Sequence, residues 1–173
     1  HIAAACRKKG FGFQFAVVGK KSQQEQEVRN TARKLGVLGE NFHMYPPVPK
    51  QKMPEILATA DLALSLVVDL KPLWANSANK FFDALASATP VAINYGGWQA
   101  KLLRETGAGI VLPPNDPDEA ASRLYAFLSD KRQLVKAGQT ARQLAEERFN
   151  RDDLAEELER ELLAAAGQTH KNV

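Results

Sequence analysis

Three kinds of side chain on one short stretch are spaced to hold a ligand together. In Asn76-Ser77-Ala78-Asn79-Lys80-Phe81-Phe82-Asp83-Ala84-Leu85-Ala86, amides, an ammonium and a carboxylate recur at helical intervals. At about 100° per residue, Asn76, Asn79, Lys80, Asp83 and Ser87 share one arc, while Ala78, Phe81, Phe82, Leu85 and Ala88 cover the opposite side. Asn76 or Ser77 can cap the first turn by accepting from a free backbone N–H. The apolar run Leu62–Val67 just upstream reads as a buried strand, so the helix should begin at the carboxyl edge of a sheet. Open α/β sheets bind ligands at that edge, and a helix amino terminus there favours an anion. Such a face fits a phosphorylated, hydroxyl-bearing ligand. With no ligand, the same pattern is a solvated helix surface.

The elements around this stretch alternate. Ile2–Lys9 is helix-like from its first residues, as the end of a helix begun upstream would be, which suggests a fragment of a longer protein. Phe13–Val18 is a strand ending at Gly19, followed by a turn and a charged helix from Ser22 to about Leu35 that Gly36 stops. Asn41–Tyr45 is a second strand, closed by Pro46-Pro47-Val48-Pro49, and Lys50–Ala60 is a short helix. Leu62–Val68 is the third strand, Pro90–Tyr95 the fourth and Ile110–Leu112 the fifth, with a helix from Trp98 to Thr106 between the last two. From Asp116 the chain is helical: Pro117–Leu128 behind an Asp116 cap, then about Lys131–Phe149, then Arg151–Ala166 with Leu154, Leu158 and Leu162 at four-residue spacing. Strand and helix in alternation, joined by short connections, imply an α/β fold with a parallel, doubly wound, Rossmann-like sheet and a helical carboxyl-terminal extension. Residues 1–149 form the α/β domain and residues 150–173 the last helix and tail.

Composition narrows the function classes. A chain of 173 residues with 45% hydrophobic and 25% charged residues is long enough for a real core. A net charge of +3, without a basic block interleaved with aromatics, gives nucleic acid no electrostatic footprint. The single cysteine, Cys6, forms no internal disulfide, and His1, His43 and His170 are too scattered to suggest a metal site. No apolar run reaches the length that spans a bilayer.

Other motifs read less sharply. Gly19-Lys20-Lys21 follows a strand and precedes a helix, as phosphate loops do, yet lacks both the G-x-G-x-x-G and G-x-x-x-x-G-K-[ST] patterns, so a solvated turn is the simpler reading. Gly96-Gly97 lies at another carboxyl edge, where it either admits a ligand to backbone N–H groups or makes a tight turn. Trp98 either covers that position or packs on the sheet, and packing is favoured. Asp61 reads as a helix terminator, and Asp152-Asp153 as the dipole complement of a helix start. No Ser/His/Asp or Cys/His set is present to support acyl transfer.

Taken together, Phe15–Gly19, Phe42–Val48, Pro54–Asp61, Asn79–Ala86, Asn94–Trp98 and Gly107–Ile110 resemble the carboxyl-terminal, donor-binding domain of family 4 (group 1) retaining glycosyltransferases of the GT-B fold. Among these, the Asn-Lys-x-x-Asp helix is similar to bacterial fucosamine-type transferases of surface polysaccharide synthesis. The resemblance covers nearly the whole chain. It implies a nucleotide-diphosphate sugar as substrate, no cofactor and no metal. Asp83 falls where the family carries the second Glu of an E-x7-E motif, which holds the ribose hydroxyls. Ala78, Asn79 and Lys80 fall at the helix start that cradles the diphosphate. Val48 flanks the nucleobase, Gly19 and Lys20 border the interdomain cleft, and Gly96 and Gly97 complete the substrate-binding set.

The departures are specific. Ala75 stands where the first Glu of the motif belongs, Ala100 lies near where a Glu often follows the glycine pair, and no catalytic residue is assigned. A preceding strand carrying an Arg/Lys pair, and an amino-terminal acceptor domain, are expected upstream of Ile2. The implied whole is a cytoplasmic enzyme, peripheral at the inner membrane face where its acceptor is a lipid-linked glycan, and the isolated domain is expected to be inactive. A nucleotide-sugar epimerase on the same scaffold is the alternative enzyme. A non-enzymatic α/β sensing module is the alternative outside enzymes, although the basic Val18-Gly19-Lys20-Lys21 lacks a receiver's acidic cluster.

Overall fold

The computed structural model describes residues 1–19 and 22–167. In chain order the elements are α1 (Ile2–Lys8), β1 (Phe15–Val18), α2 (Gln23–Lys34), β2 (Phe42–Tyr45), α3 (Met53–Ala58) and β3 (Ala63–Ser65). There follow α4 (Asn79–Ala86), β4 (Val91–Ile93), α5 (Trp98–Thr106), β5 (Gly109–Val111), α6 (Pro117–Ser129), α7 (Lys131–Glu147) and α8 (Arg151–Ala165). Short 3-10 turns precede α3 (Lys50–Lys52) and α4 (Lys71–Ala75).

Local chemistry sets most of these boundaries. The Ser22 hydroxyl accepts from Glu25 N at 3.0 Å, and Asp116 Oδ1 accepts from Glu119 N at 2.9 Å with Pro117 in the first turn. One Asp130 carboxylate oxygen accepts from both Arg132 N and Gln133 N, so a single residue separates α6 from α7. The Asn150 side chain accepts from Asp152 N and opens α8, which carries Asp152 and Asp153 in its first turn. Gly107 closes α5 in the left-handed conformation at φ 75°.

All strand pairs are parallel, with helices on both faces, so the fold is a doubly wound, Rossmann-like α/β arrangement. Strand β4 shows how the faces divide. Val91 and Ile93 join Phe81, Ala84, Leu85, Leu103, Ala141 and Leu144 beneath α4, α5 and α7, whereas Ala92 joins Leu112, Ala120 and Leu124 beneath α6. On that second face α1 packs against α6, burying Ala5, Cys6 and Ala121 with Phe11, Phe13 and Phe15. Phe81 and Leu85 are fully buried, and each contributes about 1.5–3 kcal/mol by leaving water. They fix the orientation of α4, so its opposite face points outward.

Two features differ from the sequence expectation. The strands form two sheets, β1-β2 and β3-β4-β5; among the described residues no ladder joins β1 to β3. The third strand is also shorter than its apolar run Leu62–Val68, because only Ala63–Ser65 pair, and on the β4 side alone. Helix α8 buries none of its residues, and Leu154, Leu158 and Leu162 are exposed. No helix among the described residues is long and apolar enough to cross a membrane.

At Gly109, which pairs with Val91 of β4, an added Cβ would collide with the Val91 carbonyl. Gly109→Ala is therefore expected to lower stability by about 1–3 kcal/mol. Urea unfolding reads this as a lower midpoint at unchanged slope; an unchanged midpoint contradicts the close contact.

Candidate functional site

The site is assembled by backbone groups that finish their hydrogen bonds on side chains. Beyond Ser65 the third strand has no ladder partner, but Asn94, just past β4, replaces one. Its Oδ1 accepts from Val67 N at 2.9 Å and its Nδ2 donates to Val67 O at 2.8 Å. This amide fixes where the chain leaves the sheet. After the 3-10 turn at Lys71–Ala75, Asn76 Nδ2 donates to Leu73 O at 2.6 Å, and Ala78 N donates to Asn76 Oδ1 at 3.1 Å. The sequence placed the helix start at Asn76, with Asn76 or Ser77 as the cap. Instead α4 begins at Asn79, because the Asn76 amide is engaged in the preceding turn and the capping position falls on Ala78, which offers no side-chain acceptor. The first-turn N–H groups of α4 thus face the carboxyl edge without a side-chain cap, where the helix dipole favours an anion.

Three of the expected ligands stand together on this helix. Asn79 and Lys80 are exposed in its first turn, and half-buried Asp83 lies one turn beyond Asn79 on the same face. Among the described residues the Asp83 carboxylate has no hydrogen-bond or ion-pair partner. Lys80 Nζ donates to Leu66 O at 3.4 Å, which draws the ammonium back over the end of the third strand. Although Lys80 is exposed by area, its ammonium is crowded by protein, and the desolvation pushes its pKa below the ordinary lysine value. Ser87, assigned to the same arc, does not join them. It sits at the far end of α4, where its hydroxyl donates to Asp83 O at 2.8 Å.

The glycine pair is met from within the protein. A Cβ on Gly96 would lie 2.5 Å from the Trp74 ring, and one on Gly97 would strike the Trp74 carbonyl. Gly97 also holds φ 84° as it leads into α5, so both readings of the pair have structural content: a turn needing positive φ, and a close approach that Trp74 makes here. Trp98 packs against Phe81, Phe82 and Phe149 with ring centroids 6.0–6.1 Å away, as the packing reading expects. Beneath the turn, the Tyr95 hydroxyl donates to Gln99 Oε1 at 2.5 Å and lies 3.2 Å from Ser65 Oγ. The sequence reading missed Trp74, Asn94, Tyr95 and Gln99 as supports. An Asn directly after the apolar strand Val91–Ile93 was the available signal.

The other expected residues lie across a gap. Gly19 follows β1, donating to Tyr45 O at 3.4 Å, and partly buried Val48 follows β2; both belong to the two-stranded sheet, whereas α4 and the glycine pair belong to the three-stranded one. Lys20 lies outside the described residues, as does His170. Asp69 and Asn115 tie the loops after β3 and β5 together, with Asn115 Nδ2 donating to Asp69 Oδ2 at 2.9 Å. Asp61 sits exposed at the opposite, amino edge of the sheet, away from this constellation. Among the described residues no three His, Cys, Asp or Glu side chains gather to hold a metal ion.

Comparison with known proteins identifies the family and the fold. The profile of the family described as glycosyl transferases group 1 matches residues 1–130. No curated protein sequence matches the chain. Among solved structures, HepE of Anabaena in complex with UDP shares 16% identity at a TM-score of 0.79, covering 94% of this chain and 44% of HepE. Sucrose-phosphate synthase from Thermosynechococcus elongatus shares 16% at 0.75, covering 95% of this chain and 42% of the synthase. WaaG, a glycosyltransferase involved in lipopolysaccharide biosynthesis, shares 20% at 0.63, covering 85% of this chain and 37% of WaaG. At such identities the likeness is one of fold, and the chain spans less than half the length of each of these structures. The fold is the Rossmann-like half of a GT-B architecture. With the family profile matching most of its length, the chain belongs to the group 1 glycosyl transferases.

Proposed function

We propose that the chain is the donor-binding part of a retaining glycosyltransferase that takes a hexose or amino sugar from a nucleotide-diphosphate sugar and delivers it to a glycan or lipid-linked acceptor. The observation that carries this reading is the uncapped amino terminus of α4, with Asn79, Lys80 and Asp83 on one exposed face. Two backbone donors and an ammonium suit a diphosphate, and a carboxylate one turn further suits a pair of ribose hydroxyls. The family assignment supports it, as do the solved HepE complexes with UDP and with UDP-glucose. The fucosamine-type resemblance of Asn79–Ala86 favours an amino sugar and a bacterial surface polysaccharide, with the enzyme cytoplasmic and peripheral at the membrane.

In this reading the chain's own contribution to transfer is electrostatic. As the glycosidic bond to the diphosphate breaks, negative charge grows on the departing phosphate oxygens. The α4 terminus, held by the core beneath it, stabilises that charge without reorganising, and Lys80 adds its ammonium by leaving Leu66 O. No metal and no protein nucleophile is assigned a step. Acceptor recognition falls to parts of the enzyme outside this chain, so the chain alone should bind nucleotide and transfer nothing.

Calorimetry with nucleosides and nucleoside diphosphates tests the assignment. Asp83→Ala should weaken both ligands by about 1–3 kcal/mol, as the loss of hydrogen bonds to a charged group does; unchanged affinity removes Asp83 from the ribose. Lys80→Ala should weaken the diphosphate and spare the nucleoside, and equal losses would make Lys80 an ordinary surface charge. The lowered Lys80 pKa adds a pH signature. A bound diphosphate stabilises the ammonium and raises its pKa, so binding takes up a proton between the free and bound values. Affinity should hold steady below the free-state pKa and fall as alkaline pH rises through it. Lys80→Met should abolish that fall, and a fall that persists in the variant would contradict the assignment.

A further inference from the structure

The Gly96-Gly97 turn is bare of side chains, yet it is covered. The Trp74 ring lies against Gly96, 2.5 Å from where a Cβ would stand, and the Trp74 carbonyl presses on Gly97. Gly97 needs to be glycine for its φ of 84° whatever its neighbours, whereas Gly96 has no positive φ to require it. The bareness at Gly96 serves only what lies upon it.

The fit at this contact is incomplete. The Trp74 indole N–H is buried and has no hydrogen-bond partner among the described residues. A buried Trp N–H ordinarily finds an acceptor, so this seat leaves the indole short of one. Gln99, fully buried two residues past Gly97, uses its Oε1 on the Tyr95 hydroxyl and leaves Nε2 without a partner among the described residues. The first turn of α5 has no side-chain cap either. Around the start of α5, donors outnumber acceptors, while Trp74 brings to it an aromatic ring and a single carbonyl.

The segment that carries Trp74 is lightly held. The 3-10 turn Lys71–Ala75 fully buries none of its residues. Leu73 within it, and Val68 and Leu70 just before it, are exposed. One end is tied by the exposed Asp69–Asn115 hydrogen bond, the other by the Asn76 amide on Leu73 O and Ala78 N. Few buried contacts and exposed polar ties mark a segment that opens at low cost.

We propose that Trp74 is a displaceable plug on the glycine pair, and that the sugar of a nucleotide-diphosphate sugar takes its place. The proposal rests on the donor-binding reading above and adds to it the residue that tells the sugar-bearing form from the bare diphosphate. Sugar hydroxyls bring the acceptors that α5 and Gln99 lack, and the displaced indole N–H gains water as a partner. A nucleoside diphosphate engages α4 and leaves the plug seated. A nucleotide sugar must displace it, so its affinity is reduced by the fraction of molecules in which the turn stands open.

Tryptophan fluorescence tests this, because Trp98→Phe leaves Trp74 as the only tryptophan. In that background Gly96→Ala should push the ring off the turn. Acrylamide quenching of Trp74 should rise about threefold, with the melting temperature within about 4 °C of the parent. Unchanged quenching in the folded variant would overturn the proposal. So would a melting temperature lower by about 8 °C or more, as loss of a core aromatic produces. A second arm pairs UDP, GDP and dTDP with UDP-glucose, GDP-mannose and dTDP-glucose, binding being read by calorimetry. Of the pair that binds, the sugar form should raise the quenching of Trp74 and the diphosphate should not. Trp74→Ala should tighten the sugar form about threefold and leave the diphosphate unchanged. A sugar form that binds with Trp74 still shielded would overturn the plug. Weaker binding of the sugar form to Trp74→Ala would overturn it too, and make the ring a stacking wall. Binding of no nucleotide would defeat the donor-binding reading and the sugar's part in the proposal, while Gly96→Ala still decides whether Trp74 is displaceable.

Discussion

Backbone hydrogen-bonding capacity at the carboxyl edge of the sheet is the constraint on which the rest of this structure depends. A buried N–H or C=O left alone costs about 1–3 kcal/mol, so each strand end and helix start must find a partner or face water. Asn94 supplies both partners for Val67, and Asn76 joins Leu73 to Ala78. Asn76 thereby spends the acceptor that could otherwise cap α4. What remains is a helix start with open donors, held rigidly by Phe81 and Leu85 in the core below. The proposed anion site is the remainder of that accounting.

The same accounting explains the rest of the edge. The Gly96-Gly97 turn has no side chains because Trp74 presses on it with both its ring and its carbonyl. Trp74 in turn belongs to the 3-10 turn that ends where Asn76 begins the approach to α4. The glycine pair and the helix start are therefore mechanically connected, although 17 residues lie between Asn79 and Gly97 in sequence. The aromatic cluster of Phe81, Phe82, Trp98 and Phe149 locks α4 to α5 from behind. A ligand on the outer face of α4 meets a helix that cannot tilt without disturbing this cluster.

Features set by neighbouring residues were legible in the sequence. Ser22, Gly36 and Asp116-Pro117 bound their helices through contacts within a few positions, and the amphipathic split of Asn79–Ala86 located both the core face and the outward face. Alternation of strand and helix gave the doubly wound class. What was not legible depended on partners far along the chain. The true start of α4 turns on how the Asn76 amide divides itself between Leu73 and Ala78, and the role of the glycine pair on Trp74, which lies 22 residues before Gly96. Leu62–Val68 has the composition of a fully covered strand, but only one of its edges finds a partner among the described residues, so composition overstated its length. Asn94 looked like the end of a strand and proved to be an extension of the neighbouring one.

The central claim is that the open amino terminus of α4 receives the diphosphate of a nucleotide. Amide chemical shifts report it most directly, because the donors themselves are observed. In a titration of the isotope-labelled chain with nucleoside diphosphates of the common bases, the account predicts the largest saturable shifts at Asn79 and Lys80, with smaller ones around Asp83. No shift at millimolar ligand, or saturable shifts confined to the opposite edge of the sheet near Asp61 and Ala88, would contradict it.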